Sequence, residues 1–443
     1  MKYLRIYRDK GRLRISEQAE VSRSLRERVL VIDTNLAIDH AMRFVEDGLE
    51  VYYWLANLSA FPHFEDQIGG DGLGVEKVED WAQVVDKVRL VYITDSCFPH
   101  LAQRLRDLGK LVYGPTAELV RWEQDRGYAY QKMQEAGVRV PYGAVLKGKE
   151  EVVRWISRRE DGERRFWIKV SRYRGNIETF SVSSAREAEA MLSQSGFGPY
   201  LDDLEFLVQE HIEGIELGSD AFVVPSGVLE PISYTIEEKG RGNIAVWQRR
   251  SDFLQEWYEK VHAVVEDTDY RCNLSVEGIW DGGSLFVLEP TPRNPYPVSS
   301  LYPRFVYNFT DVIYAVAEDR VIDLDVDWEN PYMMEVTVST GETKLWRVIE
   351  VADGLVNWSG EGVGFRRVVR KGGKYWYCPG DPVVATVNVK GESVEECVKK
   401  SKELLKEVSC LFSEYDGTFF ESVQEKVRRL GEIGVKFRFE VRR

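Results

Sequence analysis

The stretch Ser275-Val-Glu-Gly-Ile-Trp-Asp-Gly-Gly-Ser-Leu-Phe-Val-Leu-Glu-Pro-Thr-Pro-Arg293 decides how this chain reads. Two apolar runs, at 274–279 and 285–289, flank Asp281-Gly-Gly283, the composition of a tight turn between antiparallel strands. Glu277 and Glu289 lie on those two strands. Neighbouring strands run about 4.8 Å apart, so the two carboxylates are able to converge on one site. Such a pair repels unless a cation sits between them, and hard oxygen ligands suit Mg²⁺ (or Mn²⁺) holding nucleotide phosphates. Arg293, just beyond, is placed to neutralise charge developing on a phosphoryl or acyl-phosphate group. On residue type alone the alternative is an ordinary hairpin with both carboxylates in solvent.

Upstream, Lys169 stands inside the apolar run 165–170, where an ammonium must reach solvent or meet an anion. The loop Ser171-Arg-Tyr-Arg-Gly-Asn176 beside it has the glycine needed to fold over phosphates. Val208-Gln-Glu-His-Ile-Glu-Gly-Ile-Glu216 reads as strand, short crossing segment and strand. A crossing of this kind exposes backbone groups able to read an adenine edge, and it places Glu216 for ribose hydroxyls.

The wider pattern is one of alternation. Strands are expected at 28–33, 50–55, 89–93 and 110–113, with a helix over 35–47 stopped at Gly48; this is the βαβ texture of a parallel sheet. A long helical stretch is expected from Thr116 to Ala136. Beyond Pro141 the texture is α+β: a capping box at Ser184–Glu187, strands at 205–209, 216–224 and 228–236, and a helix over 253–266. The last region, from about Trp328, carries a strand at 382–389 and a second capping box, Ser393 with Glu396. Residues 1–27 are polar and poorly patterned, an N-terminal extension.

Composition bounds the function. At 443 residues, 44% apolar and 30% charged, the chain is globular and long enough for several domains. Fifty-nine basic against 73 acidic residues give a net charge of −14, so no basic stripe favours nucleic acid. No apolar run is long enough to span a membrane. MKYLRIYRDKGRLR lacks the apolar core of a secretory signal. The five cysteines never pair as C-x-x-C, which with the rest points to a reducing, cytoplasmic setting. Five scattered histidines make a zinc site improbable. Gly69-Gly-Asp-Gly-Leu-Gly74 reads as a mobile surface loop rather than a nucleotide motif. Cys97 reads as a buried thiol.

In this order, a lysine strand with its glycine loop, an adenine hinge and two glutamates twelve residues apart followed by arginine resemble the ATP-grasp enzymes. Tyr113-Gly-Pro-Thr116, Glu123-Gln-Asp-Arg126, Gly137-Val-Arg-Val-Pro141 and the C-terminal Gly380-Asp-Pro and Gly391-Glu-Ser-Val-Glu-Glu segments resemble the phosphoribosylamine–glycine ligase branch. The resemblance implies an α/β and α+β architecture: a Rossmann-like domain over 28–115, an ATP-grasp module over 116–327 with a lid at about 140–210, and a small α+β domain over 328–443. It implies that ATP is held by Lys169 and Arg126 on the phosphates, Glu210, His211 and Ile212 on the adenine, and Glu216 on the ribose. Glu277 and Glu289 would ligate Mg²⁺, while Arg293 and Lys169 act in catalysis.

The implied reaction joins a small-molecule carboxylate to an amine through an acyl phosphate. Thr291 replaces the family's asparagine, which weakens the case for a second magnesium. Asp33-Thr-Asn-Leu-Ala-Ile-Asp-His40 replaces a glycine-rich phosphate loop, and this argues against phosphoribosylamine as the amine. Substrate contacts are expected from Asp33 and Asp95, acidic and suited to a cationic amine, and from Lys239, Arg241 and Asn294. The alternatives are phosphoribosylamine–glycine ligase of purine biosynthesis itself, or a non-catalytic ATP-binding protein.

Overall fold

The computed structural model describes residues 3–9, 12–18, 28–56, 68–172, 179–249, 258–260, 262 and 265–432, those of 3–18 by backbone alone. Where the N-terminal sequence shows no clear period, Tyr3–Asp9 (β1) and Arg12–Gln18 (β2) pair as an antiparallel hairpin with Ile6 opposite Ile15. The reading above did not anticipate it, because arginines interrupt both strands.

The next strands, apart from a short charged edge strand, are mainly apolar on both faces, a pattern that only a sheet covered on both sides will bury. Arg28–Asp33 (β3), Glu50–Leu55 (β4), Glu76–Lys77 (β5), Leu90–Ile93 (β6) and Leu111–Tyr113 (β7) form a fully parallel sheet in the order β5-β4-β3-β6-β7. Val29, Leu30, Val31 and Ile32 are all fully buried. The helix Ile38–Glu46 follows β3, and Gly48 terminates it at φ +87°, a left-handed turn that favours glycine.

Gly69–Gly74 is no mobile loop. The Gly70 N–H donates to the Val368 carbonyl (2.9 Å), and Arg370 N–H to that of Asp71 (2.8 Å). A Cβ at Gly72 would lie 2.0 Å from the Arg370 carbonyl oxygen, so only glycine permits this docking.

The expected single helix over 116–136 is two, Ala117–Gln124 and Arg126–Glu135. Asp125 separates them at φ −131°, ψ 88°, with its carboxylate accepting from the Tyr128 N–H (3.1 Å). An aspartate there stabilises the start of a second helix more than the continuation of the first.

A lid follows. Gly143–Lys147 (β8), Phe166–Val170 (β9), Thr179–Val182 (β10) and Glu205–Glu210 (β11) make an antiparallel sheet in the order β10-β9-β11-β8. The helices Gly148–Ser157 and Ala185–Gln194 cover one face; Ser184 caps the second by accepting from the Glu187 N–H. This lid has its own core, including Val152, Ile156, Phe166, Ile168, Leu192 and Phe206.

Thereafter come Ile215–Val224 (β12), Gly227–Val228 (β13), Ile232–Glu238 (β14), Gly242–Gln248 (β15), Cys272–Trp280 (β16), Leu285–Thr291 (β17) and Tyr332–Thr340 (β18). Arg347–Val351 (β19), Gly362–Gly364 (β20), Val368–Lys371 (β21), Lys374–Tyr377 (β22), Val383–Gly391 (β23), Val408–Cys410 (β24) and Ser413–Glu414 (β25) complete the strands. The strand expected over 228–236 is interrupted at Pro231, which has no N–H for a ladder.

A ten-stranded sheet runs β17-β16-β12-β14-β15-β18-β23-β20, with β13 beside β12 and β25 beside β18. Strands from the last third of the chain thus continue the sheet that carries the Glu277 hairpin. A smaller sheet is ordered β21-β22-β19-β24. The capping box at Ser393 opens the helix Val394–Leu404 as expected. The helix expected over 253–266 lies partly outside the described residues; of it, 258–260, 262 and 265 are helical. No helix among the described residues is long and apolar enough to cross a membrane.

Because the lid core is separate, Ile168→Ala should cost about 2–5 kcal/mol of local stability. Hydrogen exchange is expected to accelerate in β8–β11 while the amides of β3 and β6 keep their protection.

Candidate active site

Glu277 and Glu289 are direct cross-strand partners. The register shifts between Glu277 and Gly278, where Gly278 pairs with Val287 and leaves Leu288 as the extra residue of a bulge. Without that bulge Leu288 would face Glu277. The bulge therefore turns an even alternation into two carboxylates side by side on one face. Asp281 closes the hairpin by accepting from the Gly283 and Ser284 N–H groups, both at 2.8 Å.

Two more carboxylates join this pair. Burial, then the nearby Glu237, Glu289 and Glu216 carboxylates, push the Glu277 carboxyl up to about 8 despite Lys239. Glu237 is pushed up to about 7, first by burial and also by Glu216 and Glu335. Burial pulls the Lys239 ammonium down, but Glu277, Glu216, Glu237 and Glu289 together hold it above its usual value. Lys239 thus belongs to the carboxylate cluster rather than to a loose substrate loop.

The cluster meets Lys169 from across the cleft. On β9 Phe166, Ile168 and Val170 are buried in the lid while Lys169 alternates to the other face. Burial pulls its ammonium down to about 8, with Glu289 and Glu277 raising it and Arg126 and Lys239 lowering it. Arg126 is delivered by the helix break at Asp125: its N–H donates to the Ser171 carbonyl (2.7 Å) and its guanidinium to that of Val170 (3.2 Å). The loop beyond Arg172, from 173 to 178, lies outside the described residues.

At the hinge, Glu210 pairs with Arg164 at 3.3 Å. The His211 N–H donates to the Arg165 carbonyl (2.9 Å), and its ring accepts from Trp167 (3.0 Å). The His211 amide is therefore engaged with Arg165, just before β9, rather than free at the hinge. Glu216, opposite Ile279, lies at the start of β12 beside the cluster.

Beside Glu277, a small cavity of about 60 Å³ is lined by Asp220, Thr235, Glu237, Asn243, Thr291 and Arg293, with Pro295–Val298 as one wall. Thr291 faces Ser275. Asp220 is pushed up to about 7 by burial, against hydroxyl bonds from Ser275, Ser233 and Thr235. Asn243 is fully buried between its neighbours Glu237 and Glu335, with neither amide atom hydrogen-bonded among the described residues. Glu237, Asp220 and Asn243 escaped the sequence reading because they stand in strands scanned only for apolar alternation.

Arg293 reaches out of the cavity to Glu123 (2.8 Å) and to Asp95 (3.6 Å). Asp95 accepts from the Thr34 hydroxyl (2.9 Å) and the Ser96 N–H (2.6 Å). Three of the expected substrate residues are placed otherwise than the sequence suggested. Asp33 is fully buried and accepts from the Leu36 and Ala37 N–H groups (both 3.1 Å), the Thr94 hydroxyl (3.0 Å) and the Tyr53 hydroxyl. Asn294 is buried with both amide ends engaged, accepting from Tyr113 (2.7 Å) and donating to Tyr92 (2.8 Å), so it clamps the hairpin to the parallel sheet. Arg241 turns away to Glu238, Thr418 and Asp416.

Among the described residues no group of three or more His, Cys, Asp or Glu side chains is preformed around a metal. Mg²⁺ is characteristically held by one or two carboxylates together with substrate phosphates. The donor set Glu277, Glu289 and Thr291, with the Glu277 carboxyl pushed up by burial and then by its like-charged neighbours, suits a hard cation that arrives with a nucleotide.

No protein-family model matches the chain, and no curated protein matches it in sequence. Solved structures do match. The phosphoribosylamine–glycine ligase of Thermotoga maritima superposes with a TM-score of 0.68 at 18% identity, over 88% of this chain and 98% of that one. The biotin carboxylase domain of the Hydrogenobacter thermophilus 2-oxoglutarate carboxylase, crystallised with MgADP and bicarbonate, gives 0.66 at 14% identity over 92% and 98%. The N5-carboxyaminoimidazole synthetase of Staphylococcus aureus gives 0.57 at 12% identity over 86% and 98%.

The raised Glu277 carboxyl fixes a pH dependence. Its value moves from 4.5 to about 8 on folding, so between those limits the folded state holds the extra proton. Its contribution to stability is complete below 4.5 and is lost as the pH rises towards about 8. In EDTA the Tm should therefore fall as pH rises through this window, and Glu277→Gln should make the fall shallower.

Proposed function

We propose that this chain, which has the ATP-grasp fold, is an ATP-dependent carboxylate–amine ligase that works through an acyl phosphate. The observation that carries the reading is the bulge-set pair Glu277–Glu289 facing Lys169 across the cleft between lid and large sheet. In this reading residues 28–115 form the Rossmann-like domain, 116–327 the ATP-grasp module with its lid at about 140–210, and 328–443 the small α+β domain. Lys169 and Arg126 hold the nucleotide phosphates, with Lys239 added beside them. The Ile212 backbone and Glu210 take the adenine, and Glu216 the ribose. Glu277 and Glu289, with Thr291 beside them, would hold Mg²⁺, which when bound screens the phosphate charge and polarises the transferred phosphoryl group.

Arg293 is the residue that steadies the phosphoryl group in transfer. Glu123 and Asp95 fix its guanidinium from behind, so its orientation is set before a substrate arrives. The chemistry is a carboxylate oxygen attacking the γ-phosphorus as ADP leaves. An amine nitrogen then attacks the acyl carbon as phosphate leaves and a proton is lost from nitrogen. The amine acceptor in this reading is not phosphoribosylamine.

The test is Mg²⁺-dependent ADP release with pooled carboxylic acids and hydroxylamine as the trapping amine. Hydroxamate from one acid is the expected outcome and names the carboxylate. Arg293→Ala should lower kcat by about 10²–10³-fold, and Glu289→Gln should abolish turnover. Hydroxamate from glycine would favour phosphoribosylamine–glycine ligase. ATP binding with Mg²⁺ but no hydroxamate from any acid would overturn the ligase in favour of a non-catalytic ATP-binding protein.

A further inference from the structure

In open α/β sheets, ligands bind outside the carboxyl ends of the strands where the strand order reverses. Here the reversal falls between β3 and β6, since the chain runs from β3 to β4 on one side and later to β6 on the other. The residues at that point are Asp33, ending β3, and Thr94 and Asp95, following β6. Arg293 reaches the same place from the Glu277 hairpin through its 3.6 Å approach to Asp95. The crevice therefore adjoins the reacting end of the cleft.

A phosphate bound at such a crevice is held by backbone N–H groups leading into the next helix. Two of those groups, the amides of Leu36 and Ala37, are already engaged. The Leu36 N–H donates to one Asp33 oxygen and the Ala37 N–H to the other, both at 3.1 Å. The Thr94 and Tyr53 hydroxyls supply one further donor to each oxygen. Each oxygen thus accepts two bonds, the count expected of a fully satisfied carboxylate. Asn35, at φ +72°, turns the chain so that the carboxylate can reach its own downstream amides. Next to it Asp95 takes the Thr34 hydroxyl and the Ser96 N–H. A ligand anion would meet two carboxylates and find their nearby donors in use.

We propose that Asp33 occupies, with the chain's own carboxylate, the place where this crevice would otherwise hold a ligand's phosphate, and that the acceptor is an amine bearing no phosphate there. Asp33 is thereby a specificity-determining residue that need not touch the substrate. This inference rests on the ligase reading above. It extends that reading from the exclusion of one compound to the chemical class of the acceptor.

The test compares matched amines on the full-length protein: ethanolamine with O-phosphoethanolamine, and glucosamine with glucosamine 6-phosphate. With the acid identified by the hydroxamate assay, the unphosphorylated member of a pair should be used with kcat/KM at least about tenfold higher. Calorimetric titration of the same compounds into the MgADP-loaded protein needs no turnover, so a failed hydroxamate assay removes the ligase reading without removing this measurement. Neither phosphorylated amine should bind the wild type. Asp33→Ser frees the two amides, and it should gain binding of the phosphorylated amines. If that variant does not fold, Asp33→Asn removes the charge at nearly constant shape and should show the same gain to a smaller degree. Preference of the wild type for a phosphorylated amine, in rate or in binding, would overturn the proposal. So would a folded Asp33→Ser protein that gains no phosphate binding.

Discussion

Holding two carboxylates side by side in a partly buried cleft is the constraint around which the rest of the site is arranged. Burial, and then the like charges around it, raise the proton affinity of Glu277 and so penalise its charged form. The chain accepts that penalty through a one-residue bulge that sets Glu289 rather than Leu288 opposite Glu277. It then sets cations from different elements against the pair, Lys169 from the lid and Lys239 from the end of β14, with Arg126 beside Lys169. A cluster of this charge needs counter-ions, and in the proposed reading Mg²⁺ and nucleotide phosphates supply them.

The supports of this arrangement are separable. The lid has a hydrophobic core of its own, so the strand carrying Lys169 is able to shift as a unit relative to the large sheet. The hairpin is instead bolted down. Asn294 joins it to Tyr92 and Tyr113 of the parallel sheet, whose rings stack at 4.6 Å. Arg293 is pinned by Glu123 and Asp95. The carboxylates and the arginine are thus tied to the parallel sheet, while Lys169 stands on a strand whose core is separate. In the proposed reading, this division suits a reaction whose nucleotide must enter and leave while its reacting centre stays aligned.

Much of this was legible in residues. The fully apolar strand Arg28–Asp33 implied a parallel sheet, Ser184–Glu187 and Ser393–Glu396 implied helix starts, and the Glu277–Glu289 spacing around Asp281-Gly-Gly283 implied convergent carboxylates. All are local patterns, in which the decisive neighbours lie within one turn or one hairpin. Other residues are placed otherwise than the sequence suggests. Asp33 and Asn294 read as substrate contacts because an acidic or amide side chain near a strand end is chemically suggestive. What each bonds to depends on Tyr53, Thr94, Tyr92 and Tyr113, which come from other strands. Gly69–Gly74 read as a free loop because its docking partner is the β21 backbone some three hundred residues later.

By itself the sequence determined the longer strands of the parallel sheet and the two box-capped helices, that two glutamates share a hairpin face, and that a lysine alternates out of an apolar strand. These follow from periodicity, turn chemistry and caps, whose energetics are local. Tertiary structure alone decided which charges meet. It recruited Glu237, Asp220 and Asn243 from neighbouring strands and brought Lys239 into the cluster. It turned Arg241 away, and it gave Asp33 to the chain's own amides. The physical reason is that a charged side chain's role is set by the groups that solvate it once water is excluded, and those groups arrive from strands that only folding brings side by side.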